Sequence, residues 1–150
     1  MSYWAPVLER GWIAVDDLPP EVDLLAAVKQ LNEHGVEVLW VWELASRWAG
    51  EDDPEGEEQQ ESLTIGVFNE TGVLTWRKGF SLWAPTRGLN TEWEDARLAG
   101  FYEVGIPPRS IVPIDVVYTA LAEFLSTGSR PTSVEWELGE RMPGIPSEPM

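Results

Sequence analysis

Pro113-Ile114-Asp115-Val116-Val117-Tyr118-Thr119-Ala120-Leu121-Ala122-Glu123-Phe124-Leu125-Ser126-Thr127-Gly128-Ser129-Arg130-Pro131, continued by Thr132-Ser133-Val134-Glu135-Trp136, is the stretch from which the fold can be read. Ile114, Val117, Tyr118, Leu121, Phe124 and Leu125 recur at three- and four-residue spacing and therefore share one helical face. Pro113 suits the first helical position, where its missing N–H removes no bond. Gly128 stands where a left-handed stop is needed, and Pro131 keeps the helix from resuming. Val134-Glu135-Trp136-Glu137-Leu138 then alternates as a strand with one buried face and two carboxylates on the other. An amphipathic helix that stops and returns as a strand needs a sheet to lie on.

The rest of the chain supplies that sheet. Trp12-Ile13-Ala14-Val15 reads as a short strand, and a helix is predicted over about 20–34 with Leu24, Leu25, Val28 and Leu31 inward. Gly35 is its stop, and His34, the single histidine, sits where a cation meets the helix's terminal carbonyls. Val36–Glu43 is a mostly buried strand. Leu63–Phe68 and Gly72–Arg77 flank Asn69-Glu70-Thr71-Gly72, the composition of a hairpin connection. Residues 79–97 read as an irregular excursion, and 98–104 as one more short strand. The order β-α-β-β-β-(β)-α-β makes an α+β domain: a mainly antiparallel sheet with two helices on one face. Residues 1–141 are expected to form this single domain, with 51–61 a mobile acidic loop and 142–150 a disordered tail.

Charge is the second informative feature. The chain has 26 acids against 10 bases and a formal net charge of −16. The excess is uneven: residues 1–75 hold 16 acids and 3 bases. Such a field repels nucleic acid and anionic lipid and favours a basic partner, although solubility alone is also served by it. Asp52, Asp53, Glu55, Glu57 and Glu58 form the densest cluster. Three of the nine tryptophans, Trp48, Trp83 and Trp93, fall in segments read as loops, where a large amphipathic ring serves either as a contact anchor or as loop packing. With Glu92, Glu94 and Asp95 they complete a candidate partner-binding set.

Several chemistries lack their residues. There is no cysteine and one histidine, so neither a thiolate zinc site nor a Cys–His pair can be assembled. No glycine-rich phosphate loop opens a helix, and no serine sits in a nucleophile elbow. Glu51-x-Asp53-x-Glu55-Gly56 resembles the start of a calcium loop, but Ser62 occupies the twelfth position and Pro54 interrupts it. No catalytic residue, metal or cofactor is assigned. With no basic leader and no apolar run near ~20 residues, a cytoplasmic location without membrane contact is expected.

Gly72-Val73-Leu74-Thr75-Trp76, Leu89-Asn90, and Glu123-Phe124-Leu125-x-Thr127-Gly128-x-Arg130-Pro131-x-x-Val134-x-Trp136 together resemble the first-numbered (Imm-one type) immunity family of bacterial polymorphic toxin systems. The resemblance covers about residues 62–138. It implies a small cytoplasmic protein that binds and blocks a cognate toxin, often a nucleic-acid deaminase, and it carries no catalytic residues. The expected partner is thus a basic, nucleic-acid-acting protein toxin, with its substrate cleft occluded. An enzyme using a carboxylate pair and an acidic mimic of nucleic acid acting on a host protein are the alternative classes.

Overall fold

The computed structural model describes residues 6–49 and 59–139. Of the acidic loop expected at 51–61, residues 51–58 lie outside the described residues, as does the tail at 142–150, and Glu61 opens a strand instead.

The centre of the fold is a hairpin. Strands β3 (Glu61–Phe68) and β4 (Thr71–Lys78) pair antiparallel along their whole length through a two-residue turn at Asn69-Glu70. Outward on one side come β2 (Trp40–Ala45), which is antiparallel to β3, then β6 (Glu94–Leu98) and β7 (Tyr102–Ile106). On the other side β5 (Ser81–Pro85) pairs with β4 and β9 (Trp136–Leu138) pairs with β5. The sheet forks twice. The end of β2 pairs with β1 (Trp12–Ala14) while its start pairs with β6, and the start of β4 pairs with β8 (Ile111–Pro113) while its end pairs with β5.

Helices α1 (Leu24–His34) and α2 (Ile114–Thr127) cover one face. Leu63, Ile65, Val67, Leu74 and Trp76 point to that face and meet Val28, Leu31, Val117, Leu121 and Phe124. Trp76 and Phe124 pack edge to face, with centroids 5.9 Å apart. The intervening residues Val41 and Val73 serve the opposite face, where Ala96, Leu98 and Ile106 of the β6–β7 hairpin cover them. The fold is thus the expected α+β arrangement, with helices on one face and a smaller apolar cluster on the other.

Two glycines make close packing possible, one under the helical cover and one within the sheet. A Cβ on Gly72 would lie 2.3 Å from Gly66 O and 2.8 Å from Val117 Cγ2, so α2 rests where no side chain fits. A Cβ on Gly66, facing the other way, would lie 2.6 Å from Val41 Cγ1.

The hairpin turn is clasped to α1 by two asparagines. Asn32 Nδ2 donates to Asn69 O (2.7 Å) and to the Tyr118 hydroxyl (3.1 Å), while Asn69 N donates to Asn32 Oδ1 (2.7 Å). Asn69, at φ 63°, also bonds Val36 through both ends of its amide. Burial pushes the Tyr118 phenol up, against the opposing effect of the Asn32 bond, so it stays neutral in this network.

Several boundaries differ from expectation, each for a local reason. Strand β2 starts at Trp40 rather than Val36 because the Val36 backbone is occupied by Asn69. Helix α1 starts at Leu24 because Asp23 caps it, its carboxylate accepting from Ala26 N at 3.0 Å. Pro113 closes β8 and caps α2 from outside, one residue before the expected position. Residues 79–97 are not irregular throughout: they contain β5 and most of β6, and 98–104 straddles the turn into β7. The closing strand is a short sheet edge, with Leu138 70% exposed and Trp136 only partly buried, its indole N–H donating to Pro131 O. Val134 and Trp136 still pack against the helix-side core, so the alternation holds at its start and fails at Leu138.

Gly128 takes the left-handed stop, at φ 70°. Beyond it, Glu123 gathers the returning chain: its carboxylate accepts from Thr132 N (2.6 Å), Thr132 Oγ1 (2.7 Å) and Ser133 N (3.0 Å). These bonds, the Thr132 backbone bond first, hold its pKa below the ordinary glutamate value.

Three outcomes are expected. Gly72→Val should destabilise by roughly 1–3 kcal/mol through overpacking under α2, and Gly128→Val by about 1–2 kcal/mol through left-handed strain. Urea unfolding measures both, and an unchanged midpoint for Gly72→Val would mean that α2 does not rest on β4. The Glu123 stabilisation is present above the carboxyl's unfolded pKa and is lost as pH falls through its lower folded pKa. Glu123→Gln should therefore flatten the acid-side fall of the unfolding midpoint between about pH 6 and about pH 3.

Candidate functional site

At the β6–β7 end of the sheet the backbone leaves a groove. Segment 37–39 runs into β2 beside β6, held by Arg97 N donating to Leu39 O at 2.8 Å. The β6–β7 hairpin forms one wall, and Phe68 at the end of β3 and Ile111 of β8 close the other side. The groove has a volume of about 690 Å³. Leu39, Phe68, Val104 and Ile111 give it an apolar surface, and Glu37, Glu94, Asp95 and Glu103 bring four carboxylates. Arg97 is the one cation in its lining, and its guanidinium lies 3.4 Å from a Glu103 carboxylate oxygen. All four acids are exposed. Among the described residues no group of three or more His, Asp or Glu side chains converges as a metal site would require. Spread carboxylates over apolar surface instead suit a partner that carries several cations and some apolar area.

The expected site residues are divided among four places. Glu94 and Asp95 lie in the groove wall, in a strand rather than a loop. Trp93, half-buried just before β6, has its ring beside Gly105, another lining residue of the groove: a Cβ there would sit 3.5 Å from it. Glu92 is exposed next door, its carbonyl accepting from Asn90. Trp83 is not a loop residue. It sits in β5 opposite Trp76, packs against the helix-side core, and carries the Arg130 guanidinium 5.9 Å from its ring centroid. Its free surface is therefore small, and its position is explained by packing.

Trp48 lies elsewhere, after β2. It is half-buried between two hollows, one shared with Trp12 and Leu18, the other with Arg77 and Phe80. Its indole Nε1 is buried without an acceptor among the described residues. Next to it Gln60 ties the flanks of the acidic stretch together: its Oε1 accepts from Ala49 N at 2.6 Å and its Nε2 donates to Arg47 O at 3.1 Å. Asp52, Asp53, Glu55, Glu57 and Glu58 lie outside the described residues.

Sequence reasoning missed Glu37, Glu103 and the apolar floor. Glu37 read only as the acidic end of a strand, and Glu103 fell in a segment whose hairpin was not recognised. The exposed turn residues Phe101 and Tyr102, 65% and 63% accessible, were missed for the same reason. No spacing signal links position 37 to 94–95 and 103, because parallel pairing of β2 with β6 brings them together.

Asn90 holds the excursion that delivers β6. Its Nδ2 donates to Glu92 O (2.8 Å) and Pro107 O (2.9 Å), and its Oδ1 accepts from Ile111 N (3.0 Å). Its backbone carbonyl accepts from Arg109 N at 2.8 Å. Loop 86–93 thereby bridges the fork between β5 and β8.

Such a molecule, a forked α+β sheet with helices on one face and an acidic groove at one end, has the build of a small binding protein. A scan against protein-family models matches Immunity protein Imm1 over residues 18–138. The chain belongs to the Imm1 family of immunity proteins, and membership implies a cognate toxin as its partner. A search of curated proteins finds no match. Among the described residues no helix is long and apolar enough to cross a membrane. The residues that carried the family resemblance have structural work: Gly72 admits α2, Trp76 meets Phe124, Asn90 bridges the fork, and Glu123 and Gly128 turn the chain.

Asn90→Ala should cost about 1–3 kcal/mol, because the Ile111 N–H and Pro107 carbonyl lose a buried partner. Amide hydrogen exchange at Ile111 should accelerate by a matching factor, and exchange at the wild-type rate would show that the side chain is not the bridge.

Proposed function

We propose that this immunity protein neutralises a basic, nucleic-acid-acting toxin, a deaminase, by covering the toxin's substrate cleft. Membership of the Imm1 family carries the reading, because it makes the partner a toxin. The nature of that toxin is inferred from charge. A nucleic-acid deaminase must attract a polyanion into a positive, partly apolar pocket. A chain with a net charge of −16 competes for the same surface. Long-range attraction from Asp52, Asp53, Glu55, Glu57 and Glu58 speeds encounter, and aromatic contacts such as Trp48 and Trp93 slow release. Inhibition by binding needs no turnover, so the chain works without a catalytic residue, metal or cofactor. It acts in the cytoplasm, where a nucleic-acid-directed toxin finds its target.

The test pairs the full chain with the toxin domain encoded beside it. Co-expression should restore growth, and the purified pair should co-elute. Release of ammonia from a single-stranded oligonucleotide should stop once the two are equimolar. A toxin that acts on lipid or peptidoglycan, or a complex that still deaminates, would defeat the occlusion reading. Neutralising the five clustered acids should lower the association rate and its salt dependence while leaving dissociation nearly unchanged. Unaltered kinetics would remove those residues from the interface.

A further inference from the structure

We infer that the groove between segment 37–39 and the β6–β7 hairpin is the toxin-docking surface, and that it receives an extended segment carrying arginine or lysine alternating with apolar residues. The inference deepens the toxin-binding reading and rests on it. Three observations select this place over the rest of the surface. The groove sits at the sheet end away from the core that the helices cover, beside a second apolar cluster small enough to leave Phe68 and Val38 partly open, at 41% and 39% exposure. Of its four carboxylates only Glu103 is paired, to the lining's single arginine, so the lining keeps an uncompensated negative charge. Its wall is the edge of the sheet: β7 pairs only with β6 among the described strands, and the turn leading into it exposes Phe101 and Tyr102.

Each property answers a different part of the partner. A strand edge offers backbone donors and acceptors to an extended chain. In such a chain side chains alternate in direction, so every second residue faces the same way. Apolar residues on one side can meet Leu39, Phe68 and Ile111, with Glu94 at their end, while cations on the other reach Asp95 and Glu103, which lie on the opposite face of the β6–β7 hairpin. Phe101 and Tyr102 extend the contact past the end of the groove, as exposed aromatic anchors do at protein interfaces. A segment of this pattern in a nucleic-acid-acting toxin is part of its own substrate-binding surface, so docking here would mask it.

The experiment uses the full-length protein and two capped pentapeptides of equal charge, Arg-Leu-Arg-Leu-Arg and Arg-Gly-Arg-Gly-Arg, followed by amide chemical shifts. The leucine peptide should bind about tenfold more tightly, with shifts concentrated at Leu39, Phe68, residues 94–97 and 102–105. The triple variant Glu94→Gln/Asp95→Asn/Glu103→Gln should lose that binding at least tenfold, while the control Glu33→Gln/Asp115→Asn/Glu135→Gln keeps it. Equal affinity for the two peptides, shifts centred on residues 51–58, or no binding by the folded wild type would each overturn the assignment. Co-expression with the neighbouring toxin separates this from the broader reading. If the wild type protects and the groove variant protects equally, the groove is wrong and toxin neutralisation stands. If the wild type itself fails to protect, the toxin-binding reading falls, and the groove with it.

Discussion

Neither face of the β3–β4 hairpin can be left to water, and the rest of the molecule is arranged around that constraint. One face presents Leu63, Ile65, Val67, Leu74 and Trp76, the other Gly66 and Val73 with Val41 of β2 beside them. Burying a residue such as Leu or Val is worth roughly 1.5–3 kcal/mol, so both faces demand a cover. Glycine at 72 sets how close the helical cover comes, and glycine at 66 leaves room for Val41 and Val73 on the second face. The helices use the first face, the β6–β7 hairpin the second, and the Asn32–Asn69 clasp fixes where along the hairpin the helical layer begins. A shift of one residue in either strand would turn the two sets of side chains inside out.

The two covers differ in consequence. The helical layer is thick and apolar. The hairpin layer is thin, and its outer surface is acidic and partly apolar. With the docking groove proposed above, stability and recognition would be lodged on opposite sides of one sheet. Positions that identify the family are then expected to say little about which toxin is bound, because Gly72, Trp76, Asn90, Glu123 and Gly128 are occupied with holding the chain together.

Where one local rule governs, the fold is legible in the chain. The face of α2, the left-handed stop at Gly128 and the long β3–β4 pair follow from periodicity and turn chemistry alone. The excursion at 79–97 was not legible because β5 is five residues long and mixed in polarity, and because Gly79-Phe80 reads as loop until its glycine is recognised as the first position of a tight hairpin. Strand β8 was hidden for another reason: its last residue, Pro113, is also a convincing helix opener. Of the candidate site, Glu94 and Asp95 were reached through composition, whereas Glu37, Glu103 and Phe68 meet them only through strand pairing between distant segments. Trp83 shows the opposite error, since an aromatic in an unrecognised strand looks like a free anchor.

The Gln60 clamp carries a consequence for how this chain can change over time. By bonding Arg47 O and Ala49 N at once, it fixes the two points between which the acidic stretch must run. Once the ends are fixed, the cost of closing a loop grows only with the logarithm of its length, about 0.6 kcal/mol for each doubling. A lineage pressed by a changing toxin could vary the chain between Ala49 and Gln60 at that small cost per doubling, while the clamp keeps β2 and β3 in their pairing.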